Sequence, residues 1–177
     1  MSHIGTLPII IPNNIKIKIL SFISENNKAK YKTLIINGPK GEISINLPEE
    51  CNITINNNNL SISLTSLPNL WGTINRKIYQ AFIGLTSGHH RYLNINGVGY
   101  KASISNNKLS LSVGFSHPIN IDIPSYISYT SDNIKPQKLL FTSLSIELLT
   151  QWLNKIVSYK PASKDHYKNK GIFISSN

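Results

Sequence analysis

A chain of 177 residues with 40% hydrophobic content can bury one ordinary core or two small ones. Eighteen Lys/Arg against eight Asp/Glu give a net charge of +10, which draws such a chain towards polyanions, nucleic acid or an anionic membrane surface. One cysteine excludes an internal disulfide and suits a reducing compartment, and no apolar run approaches the roughly 20 residues of a spanning helix.

In chain order, "LPIIIP" (7–12) is too short for a signal core and lacks a basic flank. Asn14 to Ile23 alternates, with Ile15, Ile17 and Ile19 on one side and Lys16 and Lys18 on the other, which predicts a half-buried strand. "KTLIINGPKGEISINL" reads as a hairpin turning at Asn37 to Gly41. "NITINNNNLSISL" reads as a second hairpin, turning at Asn56 to Asn59, because Asn tolerates left-handed backbone angles. The period then changes. Trp71, Ile74, Ile78, Ala81, Phe82 and Leu85 have helical spacing, with Pro68 and Asn69 as a start and Gly88 just past the end. His89 and His90 are expected as a solvated pair in the link that follows.

Strand patterns resume at Arg91 and run through "YLNI", "YKASIS", "KLSLSV", "INIDI" and "ISYT". A last helix is predicted over Ser143 to Tyr159, with a stripe of Ile146, Leu149, Leu153 and Ile156, Ser143 as its cap and Glu147 in its first turn. Strands then helix therefore occurs twice. "INGPKGEISI…NNNNLSIS" is echoed by "INGVGYKASI…NNKLSLSV". The expected fold class is α+β: two duplicated small domains, each an antiparallel sheet with a helix packed on one face. The expected division is 1–88, 89–160 and a basic tail over 161–177.

The charge is uneven. Residues 1–88 carry eight Lys/Arg and four Asp/Glu; residues 89–177 carry ten and four. Five lysines fall between Lys155 and Lys170, with Tyr159, His166 and Tyr167 among them and Pro161 ending the helix. Two readings stand for that tail: an RNA-contacting device, with Lys neutralising phosphate and rings stacking on sugar or exposed base, or a solvated chain end. Only Arg76 and Arg91 are arginines, so backbone contact is favoured over readout of base edges.

Signals for catalysis are weak. "GVGYKA" has the GxGxxA form, but Tyr100, Ala102 and Ile104 continue in period two, and a dinucleotide site needs a helix after the glycines. Gly97 and Gly99 are instead expected to permit a tight turn or bulge, or the close approach of another backbone. The five histidines form no HExxH, and a single cysteine cannot build a usual zinc cluster. "GLTSG" has Thr86 where a nucleophile elbow needs Ser, and the eight acids are scattered. No cofactor and no metal are expected.

"GVGYKA" followed by "LSLSVGFSHPINIDIP" resembles the sixth protein of the large ribosomal subunit, bacterial and organellar type. "SHIGTLPIIIP", "INGPKGEISINLP" and "WGTINRKIYQAFIGLTSG" are similar to other parts of that family, so that nearly the whole chain is covered apart from 51–67. Tyr167, Lys168, Lys170, Gly171 and Ile172 match the family's closing motif, while Asn169 replaces a Gly and "KPASKDH" stands where Pro-Glu-Pro is usual. The resemblance implies the duplicated α+β fold and a structural, non-catalytic role. It implies docking on large-subunit rRNA near the sarcin–ricin loop, beside the factor-binding centre and neighbouring ribosomal proteins, with no membrane and no small-molecule substrate. The candidate RNA contacts are Lys160, Lys164, Lys168 and Lys170 for phosphate, His166 and Tyr167 among them for packing or stacking, and Gly171 for a tight approach. Lys101 and His117, beside the glycine turns, are secondary candidates. A free-standing basic polyanion- or protein-binding module, or an enzyme, is the alternative. Composition and the absence of an Arg-rich presequence favour a mitochondrial matrix ribosome, with bacterial cytoplasm and plastid as alternatives.

Overall fold

The computed structural model describes residues 8–23, 30–56, 58–64, 68–131, 138–162 and 170–175. The chain divides after Gly88 into two compact units. Among the described residues there are two helices and thirteen strands in four antiparallel sheets, an α+β architecture with duplicated sheet domains. No helix is long and apolar enough to cross a membrane.

The first unit contains β1 (Ile9–Ile10), β2 (Lys16–Ile23), β3 (Lys30–Gly38), β4 (Gly41–Pro48), β5 (Cys51–Asn56), β6 (Asn59–Leu64) and α1 (Pro68–Thr86). Strands β2-β3-β4 form one sheet and β1-β6-β5 another. The alternation of β2 is realised as expected at its start: Lys16 and Lys18 are exposed while Ile17 packs against the core. Asn58, at φ 77°, turns the β5–β6 hairpin, the left-handed geometry that Asn accepts more readily than most residues. The face of α1 that carries Ile74, Ile78, Phe82 and Leu85 is buried against Leu34, Ile36, Leu47 and Leu60. Burial pushes the Cys51 thiol up, against an opposing pull from Lys32.

The β3–β4 turn also finishes the helix. The Lys40 amide donates to the Leu85 carbonyl at 3.3 Å, and Lys40 Nζ donates to the Ser87 carbonyl. The amides of Ser87 and Gly88 both donate to Ile83 O, with Gly88 at φ 84°. Carbonyls orphaned at a helix C-terminus are thereby paired, with a cation at the negative end of the dipole. Gly38 makes this approach possible: a Cβ there would lie 2.7 Å from Leu85 Cβ.

The second unit contains β7 (His89–Asn96), β8 (Lys101–Ser105), β9 (Lys108–Ser112), β10 (Ile119–Asp122), β11 (Ile127–Ser131), β12 (Lys138–Ser143), α2 (Ile146–Tyr159) and β13 (Gly171–Ser175). A β8-β9-β10 meander makes one sheet; the other has the order β11-β12-β7-β13. Asn106 and Asn107, at φ 49° and 60°, supply the two left-handed residues of a tight β8–β9 hairpin. Leu149, Leu153 and Ile156 of α2 are fully buried with Leu93, Ile95, Leu139 and Phe141.

In each unit the antiparallel strands are shared between two sheets. Several finer expectations are corrected. The INGPKGEISI segment closes a hairpin whose strands pair with each other, whereas INGVGYKASI leads from the four-stranded sheet into the three-stranded one. Ser143 does not cap the last helix; it ends β12 and donates to Tyr126 O at 3.0 Å. Ser145 occupies the N-cap position, in an extended conformation and without a side-chain capping bond. His89 is not part of a solvated link: it begins β7 and is buried, while His90 is exposed. A strand begins at once after Gly88, and its inward-facing first residue goes into the interior.

Candidate nucleic-acid interface

Tyr100 is the centre of the site. Strand β7 ends at Asn96, Gly97-Val98-Gly99 reverses the chain, and the Tyr100 amide donates back to Gly97 O at 3.2 Å. The Tyr100 ring then lies under both glycine motifs. A Cβ on Gly97 would lie 2.6 Å from the ring, and one on Gly114 would lie 3.3 Å from it. The two motifs therefore occur together because both make room for one aromatic side chain, which is only 7% exposed. Gly99 and Gly114 also adopt φ of 79° and 84°, values that a residue with a Cβ reaches only with strain. Gly97→Ala is expected to destabilise the protein by about 1–3 kcal/mol, the usual cost of overpacking. Thermal unfolding checks this.

The tail is not a free extension over its whole length. Ile172 is fully buried and Gly171–Ser175 pairs along β7, with Gly171 opposite Asn96 and Ser175 opposite Tyr92. The apolar "IFI" of this segment gains more by joining a sheet edge than by remaining in water. Pro161 forms a parallel bridge with Ile172, and the Ile172 amide donates to Lys160 O at 2.9 Å. The exit from α2 and the entry to β13 thus run side by side. Gly171 serves a tight approach, but to this chain's own backbone: a Cβ would meet Ala162 Cα at 2.5 Å.

This arrangement sets two of the candidate lysines against the glycine turns. Lys170 Nζ lies 5.4 Å from the Tyr100 ring centroid, and Lys160 Nζ lies 5.6 Å from that of Phe115. Phe115 is about half exposed and Val98 is 92% exposed. Lys101 and His117 are exposed beside the same two turns. Lys164, His166, Tyr167 and Lys168 lie outside the described residues. An exposed ion pair, Lys108 with Asp122 at 3.6 Å, sits at the other end of the β8–β9 ladder from Lys101. Such a pair contributes about 0–1 kcal/mol, and its position leaves the positive charge at the glycine-turn end in place.

Sequence reasoning singled out the lysines and not Tyr100 and Phe115, the rings that Lys170 and Lys160 lie against. The available signal was the glycine spacing itself: two glycine turns on either side of a buried ring leave the neighbouring Phe115 on the surface.

No family model matches the chain. Direct comparison with curated proteins gives extended similarity. The chain is 36% identical over 176 residues to large ribosomal subunit protein uL6c of Guillardia theta, covering 97% of this chain and 90% of that protein. It is 37% identical over 180 residues to uL6 of Geotalea uraniireducens, with the same coverage. It is 34% identical over 181 residues to uL6 of Campylobacter jejuni, covering 99% of this chain and 92% of that protein. Similarity at this level along almost the full length of each relative assigns both units and the connection between them to one lineage: the chain belongs to the uL6 family of large ribosomal subunit proteins.

Proposed function

We propose that the chain is a structural constituent of the large ribosomal subunit and holds its rRNA through the glycine-turn end of the second unit. Membership of a ribosomal-protein family makes it a non-enzymatic protein. The observation that carries the RNA reading is the placement of Lys160 and Lys170 beside Phe115 and Tyr100. Ammonium groups next to an exposed ring and an exposed turn suit a phosphate backbone, with the ring free to pack on sugar or base. Lys101 and His117 extend the same surface, and Lys164, His166, Tyr167 and Lys168 belong to the contact through the tail. Gly171 contributes indirectly, by letting the tail close against Ala162. In the assembled particle the surface lies near the sarcin–ricin loop and the factor-binding centre, among neighbouring ribosomal proteins. The composition, rich in Asn, Ile and Lys, favours an A/T-rich genome, and we place the ribosome in a mitochondrion.

Sucrose-gradient sedimentation of mitochondrial lysates tests this. The chain is expected with the large subunit, and to stay there after a moderate salt wash. Recovery only in ribosome-free fractions would support a free-standing module instead. A second measurement reads the interface. Neutralising Lys160, Lys168 and Lys170 together is expected to weaken binding to a large-subunit rRNA fragment and to reduce the slope of log K against log salt by roughly 2. An unchanged slope removes these amines from the RNA contact.

A further inference from the structure

The register of the four-stranded sheet gives it two unlike faces. Directly opposed residues on paired strands share a face. Leu139, Phe141 and Ser143 of β12 are buried, and so are Leu93 and Ile95 of β7; these face α2 and the core. The alternate residues form the other face in two full rows. One row runs Lys138, Asn94, Phe173; the next runs Leu140, Tyr92, Ser175. Tyr92, Leu140 and Phe173 belong to neither hydrophobic core and do not pack against either, yet all three are partly exposed apolar or aromatic side chains. Lys138 Nζ stands 4.0 Å from the Tyr92 ring centroid. Asn94 Nδ2 donates to Ser175 Oγ at 2.8 Å, which fixes the polar tile between the two rings. Among the described residues, the ionisable groups on this face are Lys138, His90 and the Tyr92 phenol, and none is a carboxylate.

We propose that this sheet face is a stacking platform for unpaired RNA bases, with Tyr92 and Phe173 carrying the rings and Lys138, beside Tyr92 on the side away from Phe173, meeting the phosphate. The two rings are diagonal neighbours on adjacent strands, a separation of about 7–8 Å that aromatic side chains can bridge. Rings on the open face of an antiparallel sheet stack successive splayed bases without regard to sequence, since every base has a π-face. Asn94 and Ser175, the polar pair between the rings, suit base edges. Lys138 gives the described part of this face a positive charge, which suits a polyanion better than a basic or neutral protein surface. The glycine-turn site and this face are separate contacts; the inference rests on the proposed ribosomal setting only for which RNA is met, not for the binding itself.

The test uses the full chain and fluorescence anisotropy with two probes: an oligouridylate of about ten nucleotides and an RNA duplex of similar length. Y92L/F173L keeps apolar bulk on the sheet and removes both rings. It is expected to weaken single-strand binding about 10–100-fold and to leave duplex binding within about twofold. Y92F should retain single-strand affinity within about twofold, because the ring remains. Equal losses on both probes, no loss on either, or a wild-type chain that does not bind the single strand would overturn the proposal. So would unchanged oligonucleotide binding combined with loss of Y92L/F173L from large subunits, since the face would then carry a protein. Failure of the lysine variant to change its salt slope would count against the glycine-turn site alone.

Discussion

Gly171→Ala is expected to destabilise the protein by about 3 kcal/mol or more, among the largest effects of any single methyl group added to this chain. Two causes act together. The residue sits at φ 141°, a backbone conformation for which glycine is strongly favoured. The added Cβ would also lie 2.5 Å from Ala162 Cα, 2.7 Å from Ala162 N and 2.7 Å from Pro161 O. All three are backbone atoms, so no side chain can swing aside. The sheet edge would have to shift, and with it Ile172, which is fully buried opposite Ile95. Urea denaturation followed by far-UV circular dichroism reads the loss. A variant within about 1 kcal/mol of the parent would mean that the tail does not close against residues 160–162. The same substitution should reduce the salt slope for rRNA binding, because Lys170 precedes the displaced strand.

Phe141→Ala is the second large effect, expected at about 3–5 kcal/mol. Phe141 is completely buried, and its ring meets that of Trp152 edge-on, 5.1 Å between centroids and 70° between planes. The pair adds about 0.5–1.5 kcal/mol beyond area burial. A unit of this size has roughly 5–10 kcal/mol of total stability, so one truncation removes a large fraction of it. Phe141→Leu refills most of the volume and should cost less, about 1–2 kcal/mol. Trp152 fluorescence in a denaturant titration separates the two variants. Equal midpoints would show that the ring pair does not organise this core.

The two helices were legible because their stripes are regular. Ile74, Ile78, Ala81, Phe82 and Leu85 are all buried, as the period of 3.6 requires. Strand β9, with one wet face, was legible for the same reason in period two, and so was the start of β2, although further along Ile19 and Leu20 are both exposed. Strand β12 was not. Leu139, Leu140 and Phe141 are consecutive, because Leu140 lies on the sheet's outer face beside Tyr92, and an apolar residue there erases the alternation. Strand β13 was concealed by the lysines before it: charge suggested an open tail, although "IFI" is an edge-strand sequence. The lysines of the candidate site could be found by counting charge. Their placement over Phe115 and Tyr100 could not, because it depends on Pro161 and Ile172 meeting across a gap in sequence.

The bridge between Pro161 and Ile172, with the Ile172 amide bonded to Lys160 O, fixes two posts and leaves the length of chain strung between them as a free variable. Closing such a span costs entropy that grows only logarithmically, about 0.6 kcal/mol for each doubling. Evolution can therefore lengthen or shorten the stretch between Pro161 and Ile172, and trade one set of side chains for another there, without renegotiating the interior of the domain that carries it.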